Sequence, residues 1–379
     1  MRPPAKPLLL NAVQAAFVIA LLAAIAGMAI TAHDNLLRQN IATGFRFLWD
    51  RTGWDVSASS LPQSEADPYW WTFLVGLTNT LILSLLCILL ATLFGLVLAL
   101  AGAGRSRIPH TLTRGYIWLF RNTPIIVQVF FWYDVTRSLP AVRQAHELLG
   151  CCYASNRGVY LPSLGFSATW TRWIGLAVTV LATVAAVQWV NRRRVRRSND
   201  PLSRIWRTAV PLAVAAVGAA ALLHIEVTAP RLQGFNFVGG TYLSPEFAAL
   251  VVAIVAYNTA FIAEIVNSGI RSIPRSQNEA ARIIGLSASR TFWMITVPQA
   301  IRVAVPPLIN QYISITKSSS LAIVIGYTDL FSVGVVAINH TGQAIDIIAL
   351  LMLAYLAISL TLSAIGNLCN RAITARGTG

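Results

Sequence analysis

The chain has 379 residues, of which 56% are hydrophobic and only 11% charged, yet its net charge is +15. A globular domain carries roughly twice that share of charge, so an ordinary soluble surface is excluded. Several apolar runs reach the ~20 residues that cross a bilayer as a helix, and the class is therefore an all-α integral membrane protein.

Eight spans are expected in chain order, near 10–31, 72–102, 116–137, 172–190, 208–225, 246–268, 303–327 and 343–368. The first outruns the roughly 7–15 apolar residues of a signal peptide, so it reads as an uncleaved helix. The arginines concentrate in segments between spans, including Arg192, Arg193, Arg194, Arg196 and Arg197. That placement makes the positive charge an orientation signal, with N and C termini both cytoplasmic, rather than a nucleic-acid patch. Residues 1–71 then hold one helix and an outer segment, and 72–368 form the main membrane domain. A helical hairpin is inserted at about 138–245, and 369–379 is a cytoplasmic tail. The segment 138–171 carries the pair Cys151-Cys152 and little else of chemical meaning. No histidine or cysteine spacing fits a metal, and no catalytic cluster is found.

Polar residues interrupt the second and third spans at Asn79, Thr80, Thr123 and Gln128. Each either touches a solute or bonds a neighbouring helix, and the second reading is preferred for any one of them. Glu264 lies near the end of the sixth span.

The cytoplasmic segment 269–302 is the most informative. Pro274 stops the preceding helix, and Ser276 with Glu279 has capping-box spacing, predicting a helix over 277–285. Gly285 supplies the left-handed end. Ser287 starts a second helix, and Pro298 bends the chain back towards the membrane. Two turns are too short to be stable alone, so such a helix suits a groove in a partner. Ala280 and Ala281 would allow close approach, and Glu279 offers a charge.

In the seventh span Lys317 is followed by Ser318, Ser319 and Ser320 in an apolar frame, a few turns after Pro306 and Pro307. A buried charge in a membrane is costly unless wet or paired. The pattern predicts a helix broken beside a cavity, with 316–320 lining or gating a path. The alternative is that Lys317 snorkels, or pairs with Glu264 or a backbone carbonyl.

The spacing Glu279-Ala280-Ala281, Gly285, Ile295, Val297-Pro298 resembles the EAA loop of ABC-importer permeases, with Val297 in place of the usual leucine. Phe120-Arg121-Asn122-Thr123-Pro124 with Gln128, and Ala263-Glu264-Ile265 before Gly269, resemble polar amino-acid permeases. Thr316-Lys317-Ser318-Ser319-Ser320-Leu321-Ala322 and Asp329-Leu330 resemble the general L-amino-acid permeases. The resemblance covers roughly 72–137 and 246–368. It implies a type I ABC-importer transmembrane fold in a bacterial inner membrane. It implies coupling to a separate ATP-binding subunit through Ser276, Glu279, Ala280, Ala281, Gly285, Ile295 and Pro298. The solute path would include Thr123, Gln128, Glu264, Lys317, Ser318 and Ser319. Expected partners are that ATPase, a second permease chain in a heterodimer, a periplasmic amino-acid-binding protein and membrane lipid, but no nucleic acid. The chain itself would bind no cofactor: its only lysines are Lys6 and Lys317, and neither lies in a P-loop. ATP would be used by the partner. An ion-gradient-driven secondary transporter is the alternative, and it would want carboxylates at depth, for which Glu264 is the main candidate.

Overall fold

A computed structural model of the chain describes residues 5–38, 44–56, 59–104, 106–148, 150–167 and 224–375. They fall into two compact units, one built from Met1–Trp132 with Leu250–Gly379 and the other from Tyr133–Ala249.

The helices are α1 (Ala5–Arg38), α2 (Tyr69–Ala103), α3 (Arg107–Asn122), α4 (Ile125–Arg137), α5 (Pro245–Arg271), α6 (Arg275–Ile283), α7 (Ala288–Thr291), α8 (Val297–Ser318), α9 (Leu330–Thr341) and α10 (Ala344–Ala375); they build the first unit, except that residues 133–137 of α4 and 245–249 of α5 belong to the second. Among the described residues four stretches are long and apolar enough to cross a membrane: Tyr69–Ala103, Pro245–Arg271, Ala288–Ile325 and Ala344–Arg371. Leu85, Leu89 and Leu93 on α2, with Leu353, Leu356 and Leu360 on α10, are exposed large apolar side chains. Water would penalise such faces, whereas lipid would not.

α2 is the centre of this unit and packs along α3, α8 and α9. Its N-terminal half joins Phe47, Leu330, Val333, Ile347 and Leu351 in one core through Tyr69 and Phe73. A methyl group on Gly76 would lie 2.8 Å from Val333 Cγ2 and 3.1 Å from Leu330 Cα. A glycine is therefore what lets α2 touch the start of α9. Its other half packs Ala99 against Ile117, Ala260 and Ala263, small residues that bring α2, α3 and α5 together.

Two expected spans are built differently. The third, at 116–137, is interrupted at Thr123-Pro124. Thr123 is extended (φ −93°, ψ 121°), because a residue before proline is pushed out of the helical region. The seventh is not broken at Pro306-Pro307; α8 runs through both. The change comes at Ser319, where a tight 3-10 turn (Ser319–Ile325) takes over and ends at Gly326. Upstream, Pro298 sits in the first turn of α8 rather than bending the chain. A wide five-residue π turn, Phe292–Thr296, precedes it within one helical run, and such turns absorb a lost helical hydrogen bond. The expected fourth span and all but the end of the fifth lie outside the described residues.

The second unit corrects the all-α expectation, for its described residues include eight short strands. β1 (His146–Leu148), β2 (Cys152–Ser155), β3 (Gly158–Leu161) and β8 (Thr241–Leu243) form an antiparallel sheet in the order β1-β2-β3-β8. β4 (Ser163–Ser167) pairs with β5 (His224–Thr228), and β6 (Arg231–Gln233) with β7 (Asn236–Val238). The residues 224–225 assigned to the fifth span open β5. The β6–β7 turn uses Gly234 at φ +66°, a position a side chain would strain. Val142, Tyr160 and Phe237 make a small core, with Tyr153 stacked on Phe237 at 4.6 Å between ring centroids. Three- to five-residue strands show too few alternations to stand out as a period in the sequence.

Candidate functional site: the α6 segment, a charged cleft and a locked turn

The α6 segment is formed much as the glycine and serine signals indicate, with one difference at its start. Pro274 occupies the N-cap position, and no side chain caps the helix. Ser276 lies inside the first turn, so the expected capping box with Glu279 does not form. Proline has its φ pre-set and no N–H to satisfy, so it starts the helix unaided. The other end is closed by a Schellman motif. Gly285 is left-handed at φ +80°, Leu286 N donates to Ala281 O at 3.0 Å and Gly285 N to Arg282 O at 3.0 Å. Ser287 then caps α7 by accepting from Arg290 N at 3.4 Å.

Helix α6 presents two faces. Ala281 is only 2% exposed and packs inward, so it is not open to a partner. Asn278 points the same way, its Oδ1 accepting from Thr296 Oγ1 at 3.3 Å and tying α6 to the π turn. Glu279, Ala280 and Pro298 are exposed, and Ile295 is half-buried within that turn. Ile283 is 86% exposed and Ile284 73% exposed. Two bare isoleucines at the end of a helix beside a free carboxylate are a surface waiting for a complementary one.

Glu264 lines a cleft of about 770 Å³ with His110, Arg114, Arg121, Asn267 and Arg271, contributed by α3 and α5. The Arg121 guanidinium lies 5.1 Å from the centroid of the Phe261 ring. One carboxylate facing three guanidinium groups can receive both the ammonium and the carboxylate of a zwitterion. Among the described residues no ion pair joins Glu264 to Lys317, contrary to one expectation for that lysine.

Thr123 and Gln128 serve the break between α3 and α4. Thr123 Oγ1 donates to Leu119 O at 2.9 Å. Buried Gln128 donates through Nε2 to Phe120 O at 3.1 Å and Thr123 O at 3.0 Å. Thr123 thus bonds back within its own helix, and Gln128 bridges α4 to the end of α3.

The serine run leads to a feature the sequence reading passed over. Lys317 is exposed on the last turn of α8, and Ser318 Oγ returns to Ser314 O at 3.0 Å. Ser319 is fully buried and donates to Asp329 Oδ2 at 3.4 Å. Asp329 is itself 0% exposed. Its Oδ1 accepts from Ser332 N at 2.9 Å and Ser332 Oγ at 2.8 Å, and Tyr355 Oη of α10 donates to Oδ2 at 3.3 Å. From α2, Asn79 Nδ2 donates to Thr328 O at 2.8 Å and Thr80 Oγ1 accepts from Leu330 N at 3.0 Å. The turn between α8 and α9 is thus held from three sides. Asp329 three residues before Ser332 is an N-cap signal that a capping search would have found.

Because Lys317 is exposed and Ser319 is not, the two should respond differently to substitution. Lys317→Met is expected to keep the wild-type melting temperature in thermal denaturation of the purified chain. A melting temperature well below wild type would show that Lys317 supports the fold.

Residues 179–377 match the model of the family described as binding-protein-dependent transport system inner membrane component. The permease protein YhdX of Escherichia coli (strain K12) is 41% identical over 347 residues, covering 89% of this chain and 87% of its own length. The general L-amino acid transport system permease protein AapQ of Rhizobium johnstonii is 36% identical over 341 residues, covering 89% of this chain and 85% of its own. A crystal structure of an amino acid ABC transporter with histidines superposes with a TM-score of 0.49 at 21% identity, covering 80% of this chain and 95% of that one.

Proposed function

This chain belongs to the family of binding-protein-dependent transport system inner membrane components, and on that premise we propose that it moves L-amino acids across a bacterial inner membrane through the Glu264 cleft, driven by an ATPase docked on α6. It is a permease of an amino-acid ABC importer. The ion-gradient alternative has no support among its relatives.

The observation that carries the finer reading is the uncovered face of α6, where Glu279, Ile283 and Ile284 stand exposed on a helix whose other face is anchored by Ala281 and Asn278. A helix fixed on one side and bare on the other transmits a push rather than absorbing it. In this reading ATP closes the partner's nucleotide-binding dimer, and α6 moves with it. Through Asn278 and the π turn the motion reaches α8, whose far end carries Lys317 and the Ser319–Asp329 lock. The membrane helices then rock between inward- and outward-open states. The arginine-rich segments between apolar runs support cytoplasmic termini, which puts α6 on the ATPase side in this reading. This chain contributes no catalytic residue and binds no nucleotide. A second permease chain completes the path, as a heterodimer, and a periplasmic binding protein delivers the amino acid.

Within the cleft, Glu264 would take the ammonium group and Arg114, Arg121 or Arg271 the carboxylate. The test is uptake of labelled L-amino acids into proteoliposomes holding the complete importer. Uptake should require ATP inside and persist when the proton gradient is collapsed. Uptake that survives without ATP but dies with the gradient would overturn the reading.

A further inference from the structure

We infer that the second unit, Tyr133–Ala249, carries a binding site of its own for a dicarboxylic amino acid, in the cleft where Arg137, Arg157 and Glu246 face an aromatic wall. The inference rests on the amino-acid importer reading for its ligand class but not for its geometry.

The cleft has a volume of about 640 Å³, within the range typical of small-molecule sites. Its wall is fixed before any ligand arrives. Tyr160 packs between Phe237 and Tyr242, with ring centroids 4.7 Å and 5.4 Å away. Tyr160 Oη donates to Asn236 Oδ1 at 2.8 Å, and Tyr242 Oη to Arg157 O at 2.8 Å. On the opposite side Tyr133 Oη donates to Glu246 Oε1 at 3.3 Å, holding that carboxylate in the first turn of α5. A site built from such pre-bonded groups loses little entropy on binding.

The charges are not spent on each other. Among the described residues no ion pair joins Arg137, Arg157 and Glu246. They are nevertheless within mutual electrostatic reach. Burial raises the Tyr242 hydroxyl above its ordinary range, Tyr160 and Glu246 raise it further, and Arg157 opposes them. Two guanidinium groups and one carboxylate therefore meet in a single cleft. A dicarboxylic amino acid carries the complement, two carboxylates and one ammonium. A basic amino acid would leave an arginine facing a like charge, and a neutral one would leave a guanidinium unpaired. Guanidinium groups bind carboxylates through two parallel N–H donors, which fixes orientation as well as charge.

The experiment uses the full-length chain in lipid nanodiscs, without its binding protein, and radiolabelled L-glutamate as the probe. Saturable binding is expected, displaced by unlabelled L-aspartate and poorly by L-arginine. The double variant Arg137→Gln with Arg157→Gln should weaken it by about tenfold or more, as expected for lost charge-assisted bonds. Both side chains are exposed, so the variant should fold, and Arg157→Lys should restore part of the affinity. The comparison is made in a Glu264→Gln background, which weakens the other cleft and leaves the Arg137–Arg157 cleft as the site scored. The inference fails if glutamate does not bind saturably in that background, or if adding the double variant leaves its binding unchanged. Loss of stimulation by the binding protein with glutamate binding intact would also overturn it, making the cleft a protein-docking surface. ATP-driven uptake is scored separately in the complete importer. Wild-type uptake without binding in this cleft sinks the inference alone, whereas absent ATP dependence sinks the importer reading.

Discussion

Asp329→Ala should lower the stability of the folded chain by on the order of 3 kcal/mol and abolish transport. The carboxyl is fully buried and receives bonds from Ser319, Ser332 and Tyr355. Alanine takes the acceptor from Ser319 Oγ, Ser332 N and Tyr355 Oη, while Ser332 Oγ keeps Tyr327 O, and each orphaned buried group costs about 1–3 kcal/mol. The loss is not local, because the three donors come from the turn after α8, from α9 and from α10. The turn would keep its bonds to Asn79 and Thr80 of α2 and the bond from Ser332 Oγ to Tyr327 O. Asp329→Asn keeps the shape and one acceptor oxygen, so it should retain the bond from Ser332 N and lose far less. Thermal denaturation of purified variants in detergent, followed by size-exclusion recovery, reads the difference. An alanine variant as stable as wild type would show that the lock contributes nothing.

The elements legible in the sequence were those with long, unbroken hydropathy. The expected 72–102 and 246–268 agree with α2 and α5 to within about three residues at each end, the usual uncertainty of boundaries. Failures fall where a short-range rule competed with another. At Ser276 a plausible capping box lost to Pro274, which had already capped the helix two residues earlier. At Pro306-Pro307 a pair of apparent helix breakers lies within α8, since neighbouring groups in membrane helices can re-satisfy the backbone. At Thr123-Pro124 apolar continuity hid a true break, which only the residue-before-proline restriction reveals.

Polar residues were harder to place, because sequence gives their presence and not their partner. Asn79 and Thr80 were expected to bond a neighbouring helix; Thr80 does meet the first residue of α9, whereas Asn79 bonds the turn backbone at Thr328, each some 250 positions away. Asp329 was visible only as part of a resemblance. The strands of the second unit were missed for a different reason. Its cleft assembles Arg137, Arg157 and Glu246 from distant parts of the chain, and no spacing rule connects them.

Glu279→Lys should reduce transport by about tenfold or more while leaving insertion and stability intact. The side chain is exposed, and among the described residues no hydrogen bond or ion pair involves it. The fold of α6 depends instead on Pro274, Ala281, Asn278 and the Gly285 closure. Reversing the charge therefore alters only what the helix offers to a partner. If the proposed partner pairs a basic residue with Glu279, a like charge there would cost several kcal/mol, and 1.4 kcal/mol already changes an equilibrium tenfold. The readouts are co-purification of the ATPase subunit and amino-acid uptake by the reconstituted importer. A Gly285→Val variant provides the contrast, since a β-branched residue at φ +80° strains the backbone. It should disturb α6 itself and lower both stability and uptake. If Glu279→Lys were to hold the ATPase and transport normally, the contact would have to rest on Ile283 and Ile284 alone. The charge would then be a surface solubiliser, and α6 would couple through its apolar end.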